Sequence, residues 1–160
     1  EKPSSFTKSL LQLKYGDLVD ISSPKGSFTL PQDETIPLLF IAGGIGITTF
    51  HSMLTWLKQT GDKRTVHLIY AVCTEEDIIF KNMIGDFCSK TEIMVQKPNA
   101  HWGGSSGSLS SEFLLNHSWL TPNTTTYISG PIEMVNTLVK GLELRGIEKS
   151  QIVTDAYTGI

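Results

Sequence analysis

The sequence predicts an α/β protein with a doubly wound, mainly parallel five-stranded sheet and helices on both faces. From residue 36 onward, apolar runs of strand length alternate with amphipathic helical patterns, an order typical of a parallel sheet covered on both sides. The first of these runs ends in a glycine-rich turn, and a helical pattern follows at once. Residues 1–33 show no such alternation, so we predict two units, 1–33 and 34–160.

The first unit contains a predicted helical turn over residues 9–13 and a predicted strand over residues 16–21. Pro24 and Gly26 favour a chain reversal over residues 24–28. The polar residues 31–35 then form a linker to the second unit.

The second unit contains five predicted strands and four predicted helices. We expect strands over residues 38–42, 66–72, 92–96, 124–129 and 151–154, and helices over residues 48–59, 77–87 and 110–115. The fourth helix starts at Gly130-Pro131, with proline at its favoured first helical position, and ends at Gly146. Two helices show a clear apolar face, formed by Phe50, Met53, Leu54 and Leu57 and by Val135, Leu138, Val139 and Leu142.

Composition narrows the class of protein. The chain has 160 residues, of which 39% are hydrophobic and 18% charged, and a net charge of -3. These values are typical of a globular domain with a sizeable core and give no indication of nucleic-acid binding. No apolar run reaches the roughly 20 residues of a membrane-spanning helix, and no signal peptide is present.

The cysteines and histidines exclude several kinds of site. Cys73 and Cys88 are too few for an iron–sulfur cluster or a disulfide scaffold, although a single disulfide stays open. The four histidines are scattered, so no metal site is predicted. Reduced thiols fit a cytoplasmic setting, or the cytoplasmic face of a membrane if an anchor lies upstream. We expect this piece of the protein to be a monomer. Because the chain starts at Glu1 without methionine, we expect it to be a piece of a longer protein.

The glycine-rich turn after the first strand is the strongest candidate site. It consists of Gly43, Gly44, Ile45, Gly46, Ile47 and Thr48. Glycine lets a ligand approach the main chain closely, and a helix N-terminus offers N–H groups and partial positive charge to a pyrophosphate. The dinucleotide pattern G-x-G-x-x-G fails at Thr49, so a purely structural turn explains these residues about as well.

Other polar segments end at the same edge of the predicted sheet, because right-handed crossovers bring all strand carboxyl ends together. The residues concerned are Cys73, Thr74, Glu75, Ser129, Gly130, Pro131, Met134, Asp155 and Tyr157. Each segment also has a structural interpretation. Asp77 suits a helix N-cap, a Gly-Pro helix start occurs in proteins without ligands, and Asp155 could cap a turn.

Taken in order, these motifs resemble the ferredoxin–NADP reductase superfamily of flavin-dependent oxidoreductases. The resemblance spans nearly the whole chain. It rests on P-x-G-x-F at 24–28, the glycine turn at 40–48, Y-…-E-D-…-F at 70–80, W-G…G-S-L at 102–109, Y-I-S-G-P…M at 127–134 and D-A-Y-T-G at 155–159.

The resemblance implies that residues 1–33 are the tail of an antiparallel FAD-binding barrel and that residues 34–160 bind NADH or NADPH. Ser4 and Ser5 would contact FAD in the intact protein, whose N-terminal flavin domain is missing here. A hydride would pass from the nicotinamide to FAD, with Ser129 and Asp155 as catalytic residues and Tyr157 stacked on the flavin. Electrons would then reach an acceptor that the sequence does not identify, and this piece alone would be inactive.

Four positions depart from the family pattern. Thr49 stands in place of proline, Ser129 in place of cysteine, Asp155 in place of glutamate and Cys73 in place of arginine. The last replacement favours NADH over NADPH, because a 2′-phosphate usually requires a cationic side chain. Lys81 or Lys97 reaching the site from elsewhere would reverse this preference. Two other functions stay open. They are a nucleotide-binding or electron-transfer subunit without turnover and a flavin-independent NAD-dependent dehydrogenase.

Overall fold

The computed structural model describes residues 4–23 and 25–158, and the side chain of Met83 lies outside this description. Pro24 of the predicted turn and Gly159 of the terminal motif are therefore outside the described residues. The helices are α1 (Ser5–Gln12), α2 (Ile47–Thr60), α3 (Lys81–Phe87), α4 (Ser111–Leu115) and α5 (Ile132–Glu143). The strands are β1 (Leu38–Gly43), β2 (Val66–Val72), β3 (Lys90–Val95), β4 (Ser105–Ser106), β5 (Thr125–Pro131) and β6 (Ile152–Tyr157).

All six strands form one parallel sheet in the order β4-β3-β2-β1-β5-β6. The strand order reverses at β1, which lies between β2 and β5, and such a switch point opens a crevice at the carboxyl edge. The predicted count of five strands is wrong by one. Strand β4 lies inside a Gly/Ser-rich loop and pairs with β3 at only two positions, so it leaves no apolar alternation in the sequence.

A separate apolar core covers each face of the sheet. Helix α2 packs on one face through Phe50, Leu54 and Leu57, and α5 packs on the other through Val135, Leu138 and Leu142. The predicted apolar faces of both helices are therefore confirmed, with Met53 and Val139 partly buried at their margins. Within the described residues, no helix is both long and apolar enough to cross a bilayer.

The first segment differs from its prediction. Helix α1 begins at Ser5, earlier than expected, because the Ser4 hydroxyl accepts a hydrogen bond from the Thr7 amide. The strand predicted over residues 16–21 is wrong. The chain is extended there, but no described residue pairs with it, and Leu18 and Ile21 are exposed. The barrel assignment of residues 1–33 stays a prediction.

The end of this segment nevertheless packs on the sheet domain. The Phe28 ring meets the Tyr127 ring edge-on, with centroids 5.3 Å apart. The Tyr127 hydroxyl donates to the Thr29 carbonyl oxygen at 2.6 Å, and the Arg64 guanidinium donates to that of Pro31 at 3.1 Å. Residues 28–31 are thus fixed against the α2 side of the sheet.

Three boundaries in the second unit require correction. The predicted helix over 77–87 is broken into a 3-10 turn, Glu75–Asp77, and helix α3, because Phe80 adopts a left-handed conformation with φ 57°. Pro131 ends β5 and precedes α5 as its N-cap, so it is not the first helical residue. The last strand, β6, extends to Tyr157 because it pairs with β5 as far as Pro131.

Candidate functional site

The glycine turn joins β1 to α2 at the switch point of the sheet. Gly44 has φ +52°, and a side chain there would point into open space. Gly46 is buried, and a Cβ atom at that position would overlap the carbonyl oxygen of Ser129. The two glycines therefore have different functions: Gly44 leaves the turn open to a ligand, and Gly46 permits close packing against β5.

Helix α2 begins without a capping side chain. Its N-cap is Gly46, which has no side chain that could cap the helix, and its first turn contains no acidic residue. The partial positive charge of this helix end is therefore not offset by a local carboxylate, which suits an anionic ligand.

The other residues of the turn divide between core and surface. Ile47 is fully buried, so its side chain is a core residue and not a ligand contact. Ile45 is exposed, and the exposed Thr48 donates its hydroxyl hydrogen bond to the Ile45 carbonyl oxygen at 2.9 Å.

The Met134 side chain packs against Gly43 and Gly130, next to the glycine turn. A Cβ atom on Gly43 would lie 2.5 Å from the Met134 sulfur, and one on Gly130 would lie 2.5 Å from its terminal methyl. Both positions therefore need glycine to admit the methionine. This packing brings the first turn of α5 against the end of β1.

A groove with a volume of about 530 Å³ runs along the carboxyl edge on the α5 side. Its lining includes Gly44, Cys73, Gln96, Ser108, Pro131 and Met134. A second hollow of about 410 Å³ lies beside Gly44 and Ile45 and is also lined by Tyr70 and Cys73. Gly44 and Cys73 line both, so the two hollows adjoin along one sheet edge.

The polar side chains that follow β2 form hydrogen bonds with other groups of the protein. The backbone N–H and hydroxyl of Thr74 both donate to the Asp77 carboxylate, at 2.8 and 2.9 Å. Glu75 accepts a hydrogen bond from the Asn99 amide N–H at 2.7 Å and another from the Asn99 side chain. The polar groups of Thr74 and Glu75 are thus occupied by protein contacts, and of the three predicted ligand residues only Cys73 lines the groove.

Ser129 and Asp155 lie side by side on β5 and β6. They are register partners, and the Ser129 hydroxyl donates to the Asp155 carboxylate with an O···O distance of 3.4 Å. Ser129 is fully buried, whereas Asp155 is partly exposed. Because Asp155 lies within a strand, it does not cap a turn.

Tyr157 follows on the same face of β6, two residues further along. Its hydroxyl donates a hydrogen bond of 2.9 Å to the Gly43 carbonyl oxygen. Partial burial raises the pKa of the Tyr157 hydroxyl, so it stays protonated as a donor. The structure thus brings all three predicted catalytic residues to the edge that bears the glycine turn.

Ser4 and Ser5 are not part of this arrangement. Their hydrogen bonds within the described chain are local to α1, and neither lines a hollow of the sheet edge. Sequence reasoning also missed Tyr70, whose hydroxyl donates to the Asp77 carbonyl oxygen at 3.2 Å beside the second hollow. A tyrosine inside an apolar strand was the available signal. Residues 4–23 and 25–158 contain no group of three or more His, Cys, Asp or Glu side chains suited to a metal.

These features define a parallel α/β domain with a ligand groove at its switch point. A family model of the oxidoreductase NAD-binding domain matches residues 40–140. The match covers more than half of the chain, and the protein belongs to this family.

Two curated relatives are named as a reductase or as a reductase component. The chain is 31% identical over 147 residues to NADH-cytochrome b5 reductase 1 of Candida albicans, an alignment that covers 87% of this chain and 50% of that protein. It is 28% identical over 156 residues to the reductase component of propane 2-monooxygenase from Rhodococcus jostii, covering 91% and 42%. The chain thus spans about half the length of the curated relatives it matches.

Solved structures share the fold. The CS-b5R domains of human Ncb5or, in an NAD+ form, align with a TM-score of 0.79 and 26% identity over 94% of this chain and 45% of that one. The FAD/NAD-binding domain of nitric oxide dioxygenase from Vibrio cholerae aligns with a TM-score of 0.82 and 22% identity, covering 98% and 66%. The predicted fold class and superfamily are therefore confirmed.

Proposed function

We propose that this chain is the nicotinamide-nucleotide-binding part of an FAD-dependent NAD(P)H oxidoreductase. One observation supports this most strongly: the open Gly44 turn at the switch point, next to an uncapped helix N-terminus and a groove. A pyrophosphate at this turn would receive main-chain N–H groups and the favourable end of the α2 dipole. The adenosine half of the nucleotide would follow the groove past Cys73 and Met134.

The residues on β5 and β6 would act at the nicotinamide end. Bound NAD(P)H supplies a hydride to FAD, and the protein's contribution is to hold the two rings in contact. The partly exposed Asp155 carboxylate, held by the hydrogen bond from the buried Ser129 hydroxyl, would bind the nicotinamide carboxamide or respond to charge that develops as the hydride leaves. The Tyr157 ring would hold the place beside the flavin that the nicotinamide takes.

The preferred nucleotide would be NADH. The groove next to β2 presents Cys73, and the neighbouring acids Glu75 and Glu76 would repel a 2′-phosphate. Charge-assisted hydrogen bonds normally offset the lost hydration of such a phosphate. No cationic side chain is among the residues that line the described groove.

The electron acceptor of the intact protein would be a redox protein or an oxygenase component. The names of the relatives include a cytochrome b5 reductase and the reductase of a monooxygenase, and both suit transfer from a flavin to a second protein. We further propose a cytoplasmic location and a monomeric state for this domain.

Stopped-flow reduction of the flavin in the intact protein tests the proposal. Ser129→Ala and Asp155→Ala should slow flavin reduction at saturating NADH by at least about tenfold, with a smaller change in nucleotide affinity. Ser52→Ala, at an exposed position of α2, is the matched control and should reduce at the parental rate. If NAD+ does not bind the parent, the proposed function is wrong; if both site variants reduce at the parental rate, only the residue assignment is wrong.

A further inference from the structure

Glu92 on β3 joins two segments that are distant from it in sequence. One carboxylate oxygen accepts a hydrogen bond from the Ser105 hydroxyl of β4 at 2.5 Å. The other lies 2.6 Å from Nε2 of His117, in the loop that follows α4. One oxygen of the Glu92 carboxylate thus contacts the edge strand β4, and the other contacts the loop that follows α4.

The surroundings of this carboxylate are aromatic and partly dry. The His117 ring packs near the rings of Phe113 and Trp119, with centroid distances of 5.5 and 4.1 Å. His67 of β2 also stacks on the Trp119 ring, with a centroid distance of 4.8 Å. Only 25% of the Glu92 side chain is exposed. Partial burial of a carboxylate costs solvation free energy, and the two hydrogen bonds to Glu92 offset part of that cost.

The charge on Glu92 is kept by its partners. Burial raises the pKa of the carboxyl, but the hydrogen bonds from Ser105 and His117 outweigh it and hold the pKa below its usual value. Glu92 therefore remains an acceptor for both partners at neutral pH.

The edge strand that Glu92 holds leads directly into the groove. Strand β4 has only two backbone pairs with β3, so side-chain contacts provide much of its attachment. The chain then continues to Gly107, whose N–H donates to the Val95 carbonyl oxygen at 3.0 Å. It reaches Ser108, whose hydroxyl accepts from the Gln96 amide at 3.2 Å. Gly107 and Ser108 both line the groove.

We propose that Glu92 is a positioning residue for the nucleotide groove, acting through Ser105 on the wall formed by residues 107–109. The inference rests on the proposed function, since it assigns a wall of the same groove. Glu92 itself precedes Gln96 by four residues, about 13 Å along a strand, and does not touch the ligand space. Ser105 and His117 are the two contacts that transmit its position.

Nucleotide affinity in the intact protein tests this inference, measured by titration calorimetry with NAD+ well below the melting temperature. Glu92→Ala should weaken NAD+ binding by roughly three- to tenfold, and Ser105→Ala should reproduce most of that loss. Glu92→Gln should stay within about twofold of the parent, because the amide oxygen still accepts from Ser105. In turnover, the KM for NADH should rise with kcat unchanged, since the residues on β5 and β6 are intact.

Two controls separate positioning from charge and from general destabilisation. Glu112→Ala removes an exposed carboxylate from the neighbouring α4 and should bind NAD+ as the parent does. Leu57→Ala removes a buried side chain on α2 and should lower the melting temperature without changing affinity. The inference is overturned if Glu92→Ala binds with parental affinity, or if Glu92→Gln is as weak as Glu92→Ala. Absence of NAD+ binding by the parent would instead contradict the proposed function.

Discussion

The hydroxyl of Tyr157 donates a hydrogen bond to the carbonyl oxygen of Gly43, and this contact joins residues 114 positions apart in sequence. It ties the end of the outermost strand to the turn at the centre of the sheet. The aromatic ring at the expected nicotinamide position is therefore held by the same turn that would bind the pyrophosphate. Nucleotide binding and the position of this ring are expected to be linked.

Tyr157→Phe isolates that hydrogen bond from the aromatic ring. The change should lower the free energy of unfolding by about 1 kcal/mol, because the Gly43 carbonyl loses its donor. Tyr157→Ala should in addition change the affinity for NAD+ or the preference over NADP+, measured by calorimetry. Tyr15→Phe, at a fully exposed tyrosine, is the control and should change neither quantity. If the parent and Tyr157→Ala bind NAD+ with equal affinity, the Tyr157 ring is not part of the nucleotide site.

The two central glycines of the turn should respond differently to substitution. Gly44→Asn should fold, because asparagine tolerates the left-handed backbone, but its side chain would enter the groove and weaken NAD+ binding at least about tenfold. Gly46→Ala should cost about 1–3 kcal/mol of stability or more, since its methyl group meets the Ser129 backbone. Thermal melts by circular dichroism and a binding assay distinguish the two. Gly85→Ala on α3, where no atom lies nearby, should leave NAD+ affinity unchanged and should not lower the melting temperature, because alanine favours a helix interior over glycine.

Cys73 should control the choice between NADH and NADPH. Cys73→Arg places a guanidinium beside the groove and should improve NADP+ affinity by about tenfold relative to NAD+. Cys73→Ser removes the thiol without adding charge and should keep the parental ratio of dissociation constants. Calorimetric titration with both oxidised nucleotides gives the ratio. If Cys73→Arg leaves the ratio of dissociation constants unchanged, the 2′-phosphate does not bind beside β2.

The buried pair of Asp62 and Arg64 should make stability sensitive to acid. Hydrogen bonds from Arg64 hold the pKa of Asp62 below its ordinary value of 3.8, so the pair stabilises the fold above that pH. This contribution is lost as the pH falls toward the folded-state pKa. Asp62→Asn should therefore lower the free energy of unfolding by about 1–2 kcal/mol at pH 7, because Arg64 loses its charged partner, and by progressively less as the pH falls below 3.8. Urea unfolding across this range measures it, with the exposed Asp86→Asn as a control that should show no such convergence.

Much of the candidate site could be predicted because it lies at strand ends. In a parallel sheet all carboxyl ends share one edge, so Gly44, Cys73, Ser129 and Asp155 had to converge once the strands were found. The side-chain partners could not be predicted in the same way. Glu75 is among the residues that the sequence predicts to bind the nucleotide, yet its carboxylate accepts hydrogen bonds from Asn99, which is 24 residues away.

The sequence by itself determined the alternation of strands and helices, the apolar faces of α2 and α5 and the location of the glycine turn. Those features depend on local periodicity and on glycine's backbone freedom, which are readable in a few consecutive residues. Only the tertiary structure decided that β4 joins the sheet, that Gly46 is a packing residue while Gly44 is open, and that Glu92 contacts both Ser105 and His117. Each of these depends on contacts between segments far apart in the chain, and such contacts leave no periodic trace in the sequence.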